Sequence, residues 1–261
     1  MTLYETFSLL HEKFRNIRFE PQQHIYTDLC TGKHLVSTTT AIERFKKPFD
    51  KEFWLREKAA EAGITVAELE EQWRRKKVRG QMIGIRYHDY MERTFKHMAQ
   101  QQKPIPAVEN YLLEYNDVPL LTEYIIGNEV LGGMVDHVAL RGDSLVLKDW
   151  KSNKKFYTNS RYRLIKGLEH LPASEFNVYA LQTSIYRYML EPLPIERQEC
   201  VWFFPPRKEF LSDSAWNDKG YIVFVMPYLR DEAKHIIETV RNDDSATYFG
   251  DTQPDESLLG D

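Results

Sequence analysis

The sequence predicts an α/β domain in which helices flank a mixed central β-sheet, with an additional helical region near the N-terminus. Three observations predict it. A block of capped helical segments covers about residues 40–100. A strand meander follows over 121–127, 129–140 and 144–151. A helix at 174–191 then leads to two apolar strands, 199–204 and 220–226, and a last helix from Tyr228 to Arg241. The 261 residues suffice for one domain with a buried core. The expected division is a single domain over 1–242, with its helical part at about 40–100 and its sheet at about 120–226, followed by an acidic, mobile tail at 243–261.

Taken in order, the first forty residues read as short strands and turns: Ile17–Glu20, a break at Pro21, His24–Thr27 and a turn at Gly32. Thr40 and Glu43 have the spacing of a capping box, which opens a short helix that Pro48 ends. Residues 50–62 are helical, with Phe53, Trp54 and Leu55 as the apolar side. A second capping box, Thr65 with Glu68, starts a helix through Arg74-Arg75-Lys76-Lys77-Val78-Arg79, and Gly80 is expected to interrupt it. A further helix runs from about Ile83 to Gln100 and carries His88. Residues 101–120 form a proline-punctuated connector with a short helix around Tyr111. A loop containing Pro205-Pro206 separates the two last strands.

Hydrophobic residues make up 42% and charged residues 28%, an ordinary composition for a folded, non-fibrous domain. No apolar run is long enough to cross a bilayer. The opening MTLYETFSLLHEKFRN lacks the order of a secretory signal, and Glu5 and Glu12 argue against a transit peptide, so an intracellular setting is expected. Two cysteines, Cys30 and Cys200, are too few for an all-cysteine iron–sulfur or zinc cage or for a disulfide framework. The net charge of −4 does not suggest a nucleic-acid partner, but its distribution does not oppose one. Residues 243–261 carry −6, which leaves the body at +2. Seven basic residues against one acid lie between Lys148 and Lys166.

The chemistry concentrates in the hairpin Val130–Ser152. Arg141-Gly142-Asp143-Ser144 has the composition of a tight turn. A two-residue loop pairs Arg141 with Ser144, and counting outward places Asp136 opposite Asp149. Like charges so placed are destabilising unless a cation lies between them. Oxygen ligands suit magnesium or manganese better than zinc. Side-chain alternation puts Lys151 on the face of Asp149, where an ammonium can position a water or, with its pKa lowered by burial and a nearby ion, take its proton. Trp150 points the other way, so at that position the chain offers an ion only its backbone carbonyl. Gly132-Gly133, inside the strand, marks a close approach, for which a phosphodiester backbone is the natural candidate.

With these residues in place, about residues 20–205 resemble the PD-(D/E)XK nuclease superfamily, specifically its RecB-like and phage exonuclease branch. Asp136 followed by Asp149-Trp150-Lys151 matches the superfamily core. Gly84-Ile85-Arg86-Tyr87-His88 matches an upstream helix, and Gln182-Thr183-Ser184-Ile185-Tyr186 a downstream one. Glu123 in LLTEYIIG matches the glutamate before the first aspartate, with Glu129 as a second candidate. HIYTDLCTGKHLVSTTTAIERF is similar to the strand-turn-helix opening of phage members.

The resemblance implies a restriction-endonuclease-like fold. It also implies a Mg2+-dependent DNA exonuclease, with Mn2+ as substitute, acting in recombination, repair or phage DNA processing. A structure-specific endonuclease and a catalytically silent DNA-binding module are the alternatives. Asp136 and Asp149 would be metal ligands. His88 and Glu123 would be further ligands or would shape a second metal site. Gln182 and Tyr186 would contact the substrate backbone and orient the active site. The branch's four-cysteine iron–sulfur cluster is excluded here, and no helicase segment is present. DNA phosphates would be held by Lys154, Lys155, Arg161, Arg163 and Lys166, interleaved with Phe156, Tyr157 and Tyr162. That interleaving suits a single-stranded track ending at a free DNA end, and equally a loop that orders only with DNA. No membrane partner is expected, and no oligomer interface is readable.

Overall fold

The strand segments anticipated from alternation pair into one mixed, eight-stranded sheet in a computed structural model that describes residues 3–204 and 219–243. Helices cover both faces. The chain opens with α1 (Leu3–Phe14), then β1 (Ile17–Glu20), β2 (Ile25–Asp28) and β3 (His34–Ser37). Next come α2 (Thr38–Glu43), α3 (Lys51–Ala62), α4 (Val66–Phe95) and α5 (Pro106–Glu114). The meander is β4 (Val118–Gly127), β5 (Leu131–Arg141) and β6 (Ser144–Lys151). Then follow α6 (Glu175–Leu190), β7 (Ile195–Phe203), β8 (Tyr221–Met226) and α7 (Arg230–Asn242). The acidic segment 244–261 and the Pro205-Pro206 loop lie outside the described residues. Among the described residues no helix is long and apolar enough to cross a membrane.

Several expectations need correction. The first forty residues are not all strand and turn, because α1 precedes β1 and buries Leu10 and Phe14 in the main core. α2 is capped by Ser37, whose hydroxyl accepts from the Thr40 amide, and not by Thr40. Thr40 therefore lies inside the helix. Gly80 does not break the second helix: α4 runs unbroken for 30 residues from its Thr65–Glu68 capping box. One glycine costs a helix only about 1 kcal/mol, which neighbouring turns and tertiary contacts absorb.

Two apolar layers sandwich the sheet. On one face α1, α2, α6 and α7 bury Leu10, Ile42, Phe45, Leu181, Ile185 and Ile237 against Val135, Val138, Leu145 and Leu147. On the other, α4 and α5 bury Tyr87, Met91, Val108 and Tyr111 against Trp150, Val201 and Phe203. The strand β5 is central to both. β4 runs antiparallel along one edge of it from Leu140 to Gly132. On the opposite edge β6 pairs with residues 137–141 and β3 pairs, in parallel, with Leu131 and Gly132. Residues 133–136 lie between those two partners, so the sheet opens there.

A candidate metal centre where the sheet opens

The hairpin register follows the turn chemistry. Arg141 pairs with Ser144 and His137 with Lys148, so the next step outward brings Asp136 opposite Asp149. On the other edge Thr122 pairs with His137 and Tyr124 with Val135, which brings Glu123 opposite Asp136. Glu123, Asp136 and Asp149 thus form one row across three neighbouring strands. Regular pairing skips Asp136 on both sides. Its carboxylate replaces the ladder by accepting the Trp150 amide at Oδ2, at 2.6 Å. Glu123 is held at φ 51°, a left-handed conformation costing a non-glycine residue about 1–2 kcal/mol. Such strain concentrates at functional positions.

α4 delivers His88 to this row. Its Nδ1 lies 3.0 Å from Glu123 Oε1 and 3.8 Å from Asp136 Oδ1. One ligand atom from each of His88, Glu123 and Asp136 falls within 4.8 Å of the others. Asp149 stands beside this group and not within it, because Lys151 Nζ lies 2.9 and 2.7 Å from its two oxygens. The second oxygen, Oδ2, is buried and makes no well-directed hydrogen bond. Three carboxylates therefore share one ammonium and one imidazole in a largely buried place. That surplus of acceptors, all oxygen or nitrogen, fits a hard divalent cation such as Mg2+ or Mn2+.

The electrostatics follow from burial and crowding. Burial pushes the Asp149 carboxyl up to about 6, against the pull of Lys151 and with the repulsion of Asp136. Burial raises Asp136 too, against His88 and Lys151. Burial alone would lower His88, but the charge of Asp136 and the Glu123 hydrogen bond win and lift it to about 9. Burial lowers the Lys151 pKa, yet Asp149 and Asp136 outweigh that and raise it, so the amine stays an ammonium. Held there, it is a donor and a positive charge beside the carboxylates.

Other predicted residues divide. Glu129 is exposed and ion-paired to Arg241, so Glu123 is the acid near His88. Gln182 is 8% exposed, lines the cleft beside Lys151, and donates to Tyr186 Oη at 3.1 Å. Tyr186 is 4% exposed, belongs to the main core and holds Gln182 through its hydroxyl. The glycine pair is also reassigned. A Cβ on Gly132 would lie 2.4 Å from Tyr26, and one on Gly133 would lie 2.5 Å from Tyr186 and 2.8 Å from Thr38. Side-chain packing, not a phosphodiester, approaches them. Trp150 turns to the opposite, aromatic face as alternation requires.

The basic segment 152–173 is anchored by buried Leu164 and Leu168 and by the Ile165 amide on the Phe45 carbonyl. Lys154, Lys155, Tyr157 and Arg161 are exposed. Phe156 is not part of an open track, since it stacks on Phe224 at 4.4 Å. Arg163 is exposed, but its guanidinium donates to the His170 carbonyl, and Lys166 is exposed at φ 58°. A cleft of about 690 Å³ runs between this segment, α2 and α6, with Lys151, Tyr157, Arg161, Tyr162, Tyr179 and Gln182 on its walls. Tyr179, which sequence reasoning missed, holds its ring 4.6 Å from Lys151 Nζ. Its signal was available, since it lies three residues before Gln182 on one helical face. A second cavity, of about 430 Å³, opens beside His88 and Glu123.

No family model matches the chain, and no curated protein matches it. Among solved structures, that of SSO0001 aligns at 12% identity with a TM-score of 0.34, over 94% of this chain and 88% of that one. A likeness that distant carries no argument about fold or activity. The class defined by the geometry is thus a mixed α/β domain with a candidate metal-binding centre at the opening of its sheet.

Proposed function

We propose that this chain is a divalent-metal-dependent deoxyribonuclease of the PD-(D/E)XK kind, hydrolysing DNA phosphodiester bonds. The observation that carries the reading is the carboxylate row Glu123–Asp136–Asp149, with His88 at one end and Lys151 at the other, beside a basic and aromatic cleft. His88, Glu123 and Asp136, with Asp149 and the Trp150 carbonyl alongside, would hold Mg2+ or Mn2+. The ion supplies charge neutralisation at the phosphate and activation of the attacking water.

The chain's own residues account for the rest. Lys151, charged and fixed by Asp149, is a donor aimed from the carboxylate row into the cleft. It orients a water and stabilises negative charge building on the phosphate. Tyr179 and Gln182 wall off the side of α6. Arg161, on the cleft wall, and the exposed Lys154, Lys155, Arg163 and Lys166 would hold DNA phosphates, so DNA binding should weaken steeply with salt. The mode proposed is exonucleolytic, in DNA recombination, repair or phage DNA processing, and rests on the sequence resemblance alone.

The test is cleavage of end-labelled single- and double-stranded DNA with Mg2+ and with EDTA. Wild type should release nucleotides only with the ion. Asp136→Asn and Lys151→Ala should each lose at least about 100-fold in rate. A metal-replete wild type that binds DNA and leaves it intact would reduce the chain to a binding module. Cleavage of a circular single strand would replace the exonuclease with an endonuclease.

A further inference from the structure

Next to the cleft, and sharing Arg161 and Tyr162 with it, lies a further cavity of about 730 Å³ that the proposed chemistry does not use. Its walls are aromatic: Phe49, Trp54, Trp73 and Tyr162, with Leu69 behind them. Trp73 packs on the small Leu55–Ala59–Leu69 cluster, and Phe49 and Tyr162 stand clear of it. Phe49 is 65% and Tyr162 49% exposed, and Phe49 and Trp73 stand 6.3 Å apart at 44°. The rim is basic. The Arg161 guanidinium sits 4.8 Å over the Tyr162 ring and donates to its hydroxyl, without a carboxylate partner among the described residues. Beyond Trp73 on the same helix run Arg74, Arg75, Lys76, Lys77 and Arg79.

Flat aromatic rings, an arginine at the rim and a wall shared with the cleft that holds Lys151 match one kind of occupant. A nucleobase has two apolar faces and is tied to an anionic backbone, and aromatic side chains bind it by stacking. A base inside a duplex is stacked on both faces and presents only its edge, whereas an unpaired base offers its faces. We infer that the Phe49–Trp54–Trp73–Tyr162 cavity is a stacking site for unpaired bases of single-stranded DNA, with Arg161 gripping the backbone between this site and the cleft. The inference rests on the nuclease reading for its substrate but not for its measurement. It makes the preferred substrate a strand with at least a few unpaired nucleotides next to the bond in the cleft.

Binding is measured in EDTA, so that no cleavage contributes, by the anisotropy of labelled oligothymidylate and of an abasic strand of equal length. Wild type should favour the thymidylate strand about five- to 100-fold. Phe49→Ala and Tyr162→Ala, both at exposed positions, should erase most of that preference while circular dichroism stays unchanged, and Phe49→Tyr should keep it. Equal binding of the two strands by wild type overturns the inference, as does full discrimination by both alanine variants. The two readings fail separately. Base discrimination without metal-dependent cleavage would remove the nuclease and leave the stacking site. Cleavage without discrimination would do the reverse.

Discussion

At the scale of single residues, position in the opening of the sheet separates candidate ligands from supports. Asp136 has no ladder neighbour on either side, and its free oxygen turns to His88 and Glu123. Glu123→Gln or His88→Ala should therefore weaken Mn2+ binding, measured calorimetrically without DNA, by at least about tenfold. Glu129→Gln, out at the Arg241 ion pair, should leave it unchanged. Gly133→Ala should destabilise by about 1–3 kcal/mol in urea unfolding, because the new methyl meets Tyr186 and Thr38. A pH effect follows from His88. Its folded pKa of about 9 lies above its ordinary 6.5, so its contribution is fully present below 6.5 and is lost as pH rises to about 9. Without metal, the melting temperature should fall by a few degrees over that window in wild type and not in His88→Gln.

Elements show how far local signals reach. The Thr65–Glu68 box was legible because both bonds of a capping box lie within four residues, and both form. The continuity of α4 through Gly80 was not, since helix propensity at one position is outweighed by the turns on either side. The same site yields a test. A Cβ at Gly80 meets nothing within 4 Å, so Gly80→Ala should stabilise the protein by about 0.4–1 kcal/mol, seen as a higher unfolding midpoint. The turn Arg141–Ser144 set the register of β5 against β6, because a two-residue loop leaves one pairing. What the turn did not reveal is that the ladder opens at Asp136, which depends on β3 and β4 as well.

Across the whole molecule, the centre depends on a sheet clamped at its far end by buried charge. Lys148 Nζ lies 2.9 Å from Asp117 and 2.5 Å from Glu199, while Arg141 holds the same two acids from the turn. His137, beside Lys148, is kept neutral by burial and by that ammonium, well below its ordinary range at about 3. Lys148→Met would leave Asp117 and Glu199 underpaired in the interior, at a cost of about 3–5 kcal/mol read from denaturant midpoints. The loss should be recovered in part by replacing Glu199 with Gln in the same chain.

Alternation, turn composition and capping are local, so the sequence by itself determined the hairpin, its register, most element positions and the sharing of a face by Asp149 and Lys151. Which groups gather around each aspartate is a matter of what other strands and helices bring to it. Only the tertiary structure could bring Glu123 and His88 to Asp136, give Asp149 to Lys151, and turn Gly132, Gly133 and Tyr186 into packing. The physical reason is range. Backbone geometry correlates neighbours over a few residues, while burial and charge act between segments that meet only when the core closes.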